Sequence, residues 1–423
     1  MNVYVGLLRR NHNYRNLWFA RVVSNLGDWF NLLASASLIA RLTDSGAAVS
    51  LLFLVRFLPL FFMSPFAGVI ADHFDRRKVL IATNLLRAAT VAALVLVDRP
   101  DRIWLLYVLT ALQFVFSAIF TPAETALIPS VVEEDDLITA NALDSLTWST
   151  MLAFGAMLGG LAAAFFGVIV AFLLDAISFL ISAWFVSRVH VAEKAGIGGT
   201  AAEAHDIKSG MFAFVEGMRY LAGEPVILGI ALAKAGGSLV WGGINVVEIP
   251  LAERVFPFMG NGSLTLGILY ACTGIGTGIG PLLMRRWLGD SKPAQMRAIQ
   301  IGFGALALGI LGLALAPSLP WVLAATAVRA VGSGGVWVFS TVLLQQLLPD
   351  HVRGRVFAFE FAALTFTQAI GTLWAGYATD ELGLSLQQVC LIAGIAGIAT
   401  WALWLIFQTR VQKTVTLAKE SVI

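Results

Sequence analysis

Charged residues are scarce in this chain of 423 residues, of which Asp, Glu, Lys and Arg make up only 13%. A soluble domain has about 25% charged residues, so roughly half of the usual charge is missing. Hydrophobic residues make up 58% of the chain, and the mean hydropathy is +0.82. This composition excludes a water-soluble enzyme and indicates a membrane protein.

Cysteine and histidine are also too few to build the sites they usually form. The two cysteines, Cys272 and Cys390, lie in apolar segments, so we expect neither a disulfide framework nor a thiolate metal site. None of the five histidines forms an i,i+4 pair. The chain also lacks the G-x-x-x-x-G-K-[ST] loop that binds nucleotide phosphates. We therefore expect no metal, no cofactor, no enzymatic activity and no nucleic-acid partner. Because the chain cannot hydrolyse ATP, any energy that it uses must come from an ion gradient, from a substrate gradient or from a partner, and a proton gradient is the suspected source.

Long apolar segments dominate the chain instead. Each approaches or exceeds the ~20 residues that cross a bilayer as a helix. They predict an all-α polytopic membrane protein. The twelve predicted spans lie at about 16–41, 46–71, 79–97, 103–132, 137–166, 168–188, 225–252, 263–284, 295–316, 320–348, 355–379 and 386–409.

Positive residues are distributed unevenly between the predicted loops. When the positive residues at or next to the ends of the predicted spans are counted with the adjacent loop, the odd-numbered loops hold four Lys and Arg residues, whereas the even-numbered loops and the termini hold nineteen. Loops rich in Lys and Arg stay in the cytoplasm. We therefore expect a cytoplasmic lead-in at 1–15 and a cytoplasmic tail at 410–423.

The longest polar interruption, at 189–224, divides the predicted spans into two sets of six. Its glycines and mixed charges are typical of a linker, and apolar residues near its end predict a helix on the membrane surface. The predicted halves are 16–188 and 225–409. Duplicated six-span halves are a recurring transporter architecture. A shift of 216 residues places Thr125 on Thr341, Gly155 on Gly371 and Gly160 on Gly376.

The loop after the second predicted span carries a glycine, an aspartate and two arginines at defined spacing. These residues are Gly68, Asp72, Arg76 and Arg77. Their pattern resembles the cytoplasmic signature loop of the major facilitator superfamily. His73 and Asp75 depart from it, because the family has a basic residue and a glycine there. The resemblance implies that this loop gates the movement of the two halves.

Further segments narrow the resemblance to one branch of the superfamily. Residues 120–129, 141–143 and 175–179, with Asn25 to Asp28 in the first span, resemble macrolide-efflux proteins, the enterobactin exporter and the lysophospholipid transporter. The resemblance covers nearly the whole chain. It implies the major facilitator fold, in which twelve transmembrane helices form two pseudo-symmetric six-helix halves.

This resemblance also implies a function. The favoured interpretation is a monomeric secondary active transporter in the bacterial inner membrane, a proton-coupled exporter of amphipathic small molecules that works by alternating access. A siderophore exporter or a lysophospholipid transporter is the alternative within transport. A non-transporting membrane sensor with the same fold is the alternative from a different class.

Ionisable residues inside a membrane span are costly unless they pair with each other or face water, so they mark candidate pathway residues. Asp28 admits two interpretations: a structural ion pair with Arg56, or a carboxylate that exchanges a proton during transport. Glu124 either neutralises Arg21 or recognises substrate. The candidates for the substrate and proton pathway are Asp28, Arg56, Glu124, Lys234, Glu248 and Arg329.

Lys234 and Arg329 lie in glycine-rich spans, where glycines usually allow close helix packing. We expect these two cations to attract anionic or zwitterionic groups. We also expect Glu124 and Lys234 to face a shared cavity from opposite halves, where opposite charges suit a zwitterionic or weakly cationic amphiphile. Asp175 is interpreted as structural.

Overall fold

Helices account for nearly all of the structure. A computed structural model describes residues 3–43, 45–133, 136–190 and 218–420, without the side chains of some positions such as 64–69 and 71–73. Within this part of the chain no strand occurs, and the only extended pairing is an isolated bridge between Phe258 and Asn261. The predicted all-α fold is confirmed.

The described residues up to 190 form the first group of helices. A π-helix, Met151–Gly155, joins α6 to α7, so these three pieces together make up the fifth predicted span. The helices are α1 (Val3–Arg10), α2 (His12–Leu42), α3 (Gly46–His73), α4 (Arg76–Ala92), α5 (Ile103–Val131), α6 (Leu137–Thr150), α7 (Ala156–Phe165) and α8 (Val168–Ser187).

The second group of helices follows the predicted linker, of which 191–217 lie outside the described residues. Residues 218–223, at the end of the predicted surface helix, are helical. The last helix continues past the predicted span end at 409 into the predicted tail. The helices are α9 (Pro225–Ala231), α10 (Ala233–Pro250), α11 (Gly262–Leu288), α12 (Lys292–Ala314), α13 (Leu319–Leu347), α14 (Asp350–Asp380) and α15 (Leu386–Glu420).

Eleven segments of the described chain are long and apolar enough to cross a membrane. The remaining predicted span, the first one at 16–41, corresponds to α2, which has 31 residues and is long enough. Asn25, Asp28 and Asn31 lie in the middle of α2 and lower its hydropathy. The polar content of α2, and not its length, therefore sets it apart from the other spans.

The N-terminus of α4 explains one departure from the signature loop. Asp75 is the N-cap of α4, and its Oδ1 accepts a hydrogen bond of 3.0 Å from the backbone N–H of Lys78. Aspartate is among the preferred N-cap residues because its side chain satisfies an N–H that has no partner inside the helix. The aspartate that replaces the family's glycine therefore defines where α4 begins.

The chain divides into two compact units. Unit 1 contains Met1–Asp44, Leu51–Gly210 and Pro257–Ala271, and unit 2 contains Ser45–Ser50, Met211–Phe256 and Cys272–Ile423. In unit 1, α2 packs against α7 and α8, and α4 packs against α5 and α8. In unit 2, α12 packs against α13 and α15, and α10 packs against α14.

Glycine lets α2 approach α8 closely in unit 1. A Cβ atom at Gly27 would lie 2.0 Å from Ser178 Oγ and 2.4 Å from Asp175 Oδ1. Any larger residue at this position would force the side chains of Ser178 and Asp175 to move. The same approach brings polar side chains of α2 and α8 into contact.

Candidate functional site

Arg21 is the centre of one polar cluster in unit 1. Its Nε donates to Glu124 Oε1 at 3.0 Å, and its Nη2 lies 2.8 Å from Glu124 Oε2. A second ion pair joins Arg21 to Asp144 on α6. Arg21 is therefore an ion-pair partner of Glu124, as one of the two interpretations of Glu124 requires, and the cluster holds two carboxylates and one guanidinium.

A chain of hydrogen bonds connects two further carboxylates in unit 1. Gln113 on α5 donates from Nε2 to Asp28 Oδ1 at 3.1 Å. Asn31 Nδ2 donates both to Gln113 Oε1 at 3.2 Å and to Asp175 Oδ2 at 3.0 Å. Asp28 is partly exposed, whereas Asn31, Gln113 and Asp175 are buried. Asp28 and Asp175 are thus linked through two amide side chains.

Two buried arginines lie near these carboxylates. Arg87 and Arg56 both interact electrostatically with Asp28 and with Asp175. Neither forms a direct ion pair with them among the described residues. The guanidinium of Arg56 lies 4.5 Å from the ring centre of Phe114, and its Nη1 has no hydrogen-bond partner in the described part of the chain.

Arg87 is held mainly by neutral groups. It donates to the side-chain oxygen of Asn84, and its guanidinium lies 4.1 Å from the ring centre of Phe120 and 4.4 Å from that of Phe179. Aromatic faces stabilise a cation without neutralising it. The positive charge of Arg87 therefore remains available to the nearby carboxylates.

Lys234 is neutralised within unit 2. Its Nζ lies 3.0 Å from Glu360 Oε1, donates to Thr341 Oγ1 at 2.7 Å and lies 4.7 Å from the ring centre of Trp337. Both Lys234 and Glu360 are buried. Lys234 and Glu124, which the sequence analysis combined in one cavity, therefore each have an ion-pair partner within their own unit.

Glu248 and Arg329 form the most deeply buried ion pair described. Their side chains are 2% and 0% exposed, and Arg329 also donates to Thr273 Oγ1 at 3.2 Å. Two guanidinium nitrogens of Arg329, Nε and Nη1, have no hydrogen-bond partner among the described residues. The predicted candidates Glu248 and Arg329 are thus brought together by α10 and α13.

The internal repeat relates the clusters of the two units. The shift of 216 residues places Asp144 on Glu360 and Gln113 on Arg329. In unit 1, Asp144 pairs with Arg21 of α2, and in unit 2, Glu360 pairs with Lys234 of α10. Each unit therefore uses a carboxylate at the equivalent position to hold a cation on its first long helix.

The predicted gating residues lie around the junction of α3 and α4. Gly68 and Asp72 belong to α3, but their side chains lie outside the described residues. Arg76 and Arg77 are the first two residues of α4. Arg77 donates to the backbone carbonyl of Ser187 at the C-terminus of α8, where the helix dipole favours a cation.

Sequence reasoning missed several members of these clusters. It did not include Gln113, and it assigned no partner to Asp175 or Glu360. These residues are isolated in the sequence, and only the helix packing brings them to their partners. The sequence did indicate that Asp144 and Glu360 occupy equivalent positions, because they are related by the same shift of 216 residues as Thr125 and Thr341.

Apolar helices long enough to cross a bilayer, together with ion pairs buried among them, define a multi-pass membrane protein, and comparison with known proteins identifies it as a transporter of the major facilitator type. The family described as transmembrane secretion effector matches residues 8–421. The chain belongs to this family.

Two relatives illustrate the similarity. The chain is 25% identical over 383 residues to the putative bacilysin exporter BacE of Bacillus subtilis, covering 90% of this chain and 93% of that one. It is 25% identical over 398 residues to the multidrug efflux pump Tap of Mycolicibacterium fortuitum, with the same two coverages of 90% and 93%.

A solved structure shares the fold. The inward-facing structure of a bacterial homologue of the iron transporter ferroportin superposes with a TM-score of 0.68. The alignment covers 93% of this chain and 98% of that one at 17% identity. This likeness confirms the major facilitator fold that the sequence predicted.

Proposed function

We propose that this transporter is a proton-coupled exporter of amphipathic small molecules and that it works by alternating access. The carboxylates Asp28 on α2 and Asp175 on α8, neither of which is in a described direct ion pair, are the observation that carries the proposal. A carboxylate inside a membrane span that has no direct ion-pair partner can exist with or without a proton, which coupling to a proton gradient requires.

Export is supported by the relatives, whose names describe a bacilysin exporter and a multidrug efflux pump. The excess of carboxylates over guanidinium in the Arg21 cluster suits a cationic or zwitterionic substrate. We place the protein as a monomer in the bacterial inner membrane with both termini in the cytoplasm, since its positive loops alternate with loops poor in Lys and Arg.

Reconstitution of the full chain into liposomes tests this function. The liposomes contain a pH-sensitive dye, and ethidium serves as a cationic amphiphilic probe. When the lumen is acidic, we expect ethidium to accumulate in it while the dye reports protons leaving the lumen. Ethidium should stop accumulating when a protonophore removes the pH difference. Accumulation that ignores the pH difference would contradict proton coupling.

The same liposomes separate the alternatives. Enterobactin and a fluorescent lysophospholipid replace ethidium in parallel samples. Transport of either one without transport of ethidium would replace the drug-efflux proposal with the siderophore or the lipid alternative. Absence of movement of all three compounds would favour a non-transporting sensor.

A further inference from the structure

Counting the charges of unit 1 leads to an inference about where its proton resides. The polar clusters contain four carboxylates and three guanidinium groups, and Arg87 connects them because it interacts electrostatically with both Asp28 and Glu124. The carboxylates are Asp28, Glu124, Asp144 and Asp175, and the arginines are Arg21, Arg56 and Arg87. One additional positive charge would make the described network neutral.

The contacts of the four carboxylates show which of them can take up this additional proton. Glu124 and Asp144 are in direct ion pairs with Arg21. Asp28 and Asp175 have amide and hydroxyl partners instead, and the two carboxylates repel each other electrostatically. A buried pair of carboxylates with repulsion of this kind relieves it most cheaply by sharing one proton.

We propose that Asp28 and Asp175 together hold one exchangeable proton, and that Gln113 and Asn31 connect the two carboxyl groups so that they titrate as a unit. Asp175 thereby becomes a proton-binding residue, in contrast to the structural role expected from the sequence. Asp28, the partly exposed member, is the one that exchanges the proton with water.

A metal cation fits this site less well than a proton. Three of the four carboxylate oxygens of the pair accept described hydrogen bonds: Asp28 Oδ1 from Gln113, and Asp175 Oδ2 and Oδ1 from Asn31 and Ser178. A sodium ion would need several of these oxygens free and would also be repelled by the two nearby arginines. A proton needs one carboxylate oxygen only.

In the part of the chain that the structure describes, the charged or titratable groups that act on the pair or on its arginines lie on six helices. They are Asp28 on α2, Arg56 on α3, Arg87 on α4, Glu124 on α5, Asp175 on α8 and Tyr270 on α11. The balance between these groups determines the charge of the site.

Loss of the proton leaves one excess negative charge, which a cationic substrate can neutralise. Proton and cationic substrate would then exclude each other, as exchange across a membrane requires.

The role of the pair in transport rests on the proposed proton coupling, but its titration can be measured without any substrate. Full-length protein in lipid nanodiscs is titrated between about pH 4 and pH 10 while infrared difference spectra record the carbonyl band of protonated carboxyl groups. The variants are Asp28→Asn, Asp175→Asn and Asn31→Leu. Asn245→Leu makes the same amide-to-leucine change on α10 of unit 2 and is the control.

We expect Asp28→Asn and Asp175→Asn each to remove or change the same carbonyl band. Where a carbonyl band remains, its titration midpoint should move by at least about half a pH unit, a threefold change in proton affinity. Asn31→Leu should split the common step into two, and Asn245→Leu should leave it unchanged. A smaller shift in Asp175→Asn, or displacement of the band by sodium, overturns the proposal.

The two proposals fail separately. If the pair titrates as expected but liposomes show no proton-coupled transport, the shared proton stands and the proposed function falls. If ethidium transport is proton-coupled but Asp175→Asn leaves the band and its midpoint in place, the function stands and the shared proton falls.

Discussion

Arg329 is the largest fully buried side chain in the described part of the protein. Its only described carboxylate partner is Glu248, and the pair lies among apolar helices. Removing one partner of a buried ion pair leaves an uncompensated charge in a medium of low polarity. Replacing both partners with apolar residues leaves no uncompensated charge. Single and double variants of the pair should therefore differ in stability.

We predict that Glu248→Gln lowers the free energy of unfolding by about 3–5 kcal/mol, because Arg329 keeps its charge without a partner. Thermal and denaturant unfolding in detergent measure the change. The double variant Glu248→Leu/Arg329→Met should lose much less than the single variant. An exposed ion pair supplies the control: Asp290→Asn, which removes the partner of Arg285, should leave stability unaltered. Equal losses in the single and double variants would contradict this account.

Glu124 offers a test of substrate charge. Glu124→Gln removes one negative charge from the Arg21 cluster but leaves Arg21 paired with Asp144, so the fold should tolerate it. We predict that binding of ethidium weakens about tenfold, equal to about 1.4 kcal/mol, while a neutral probe of similar size binds as before. Equilibrium binding of both probes measures this. Equal losses for the two probes would show that Glu124 only neutralises Arg21.

At the scale of helices, glycine determines how closely neighbours approach. A Cβ atom at Gly160 on α7 would lie 2.7 Å from Gly267 Cα and 2.8 Å from the backbone carbonyl of Ser263, both on α11 in unit 1. Backbone atoms of two helices have no room to yield as a flexible side chain would. The glycine is therefore required by the packing of α7 against α11.

We predict that Gly160→Ala lowers the free energy of unfolding by about 1–3 kcal/mol through this steric overlap. Gly278→Ala, on α11 itself, is the matched control, because a Cβ atom added there would have no neighbour within 4 Å among the described residues. Alanine favours a helix over glycine, so the control should be neutral or slightly more stable. Thermal unfolding in detergent compares them, and an unchanged Gly160→Ala would show that the helices separate at little cost.

The sequence predicted the helices well because apolar length is a local property. Eleven of the twelve spans are recovered as apolar helices, and α2 is long enough to be the twelfth. The sequence could not predict the π-helix at Met151–Gly155, since no proline or composition change marks it. It also could not predict that Gln113 and Asn31 link Asp28 to Asp175, because that depends on how α2, α5 and α8 pack.

For the whole transporter, the signature loop and the Asp28–Asp175 pair should affect different steps of transport. We predict that Asp72→Asn slows transport and leaves the equilibrium affinity for ethidium within about threefold, or about 0.65 kcal/mol, because the role expected for the loop is control of switching between states and not contact with substrate. Transport rate and equilibrium binding are measured on the same preparation, with Asp290→Asn as a matched control in another loop. A large loss of affinity with normal turnover would contradict a gating role.

Asp28→Asn should have the complementary effect. We predict that this variant no longer accumulates ethidium against its gradient when driven by a pH difference, but still exchanges it downhill, because a site without an exchangeable proton cannot use the gradient. Liposome uptake with and without the pH difference measures both activities. Accumulation that persists would show that Asp28 is only a structural partner of its neighbours.

The polarity of α2 has a consequence for how the protein is made. The translocon admits a helix according to its apolar character, and an aspartate near the helix centre costs about 3 kcal/mol on that scale. Gln113 and Asp175, which hold polar side chains of α2, follow it in the chain and are therefore synthesised after it. We therefore expect stable insertion of α2 to depend on the later insertion of α5 and α8, which would make the biogenesis of unit 1 a cooperative event.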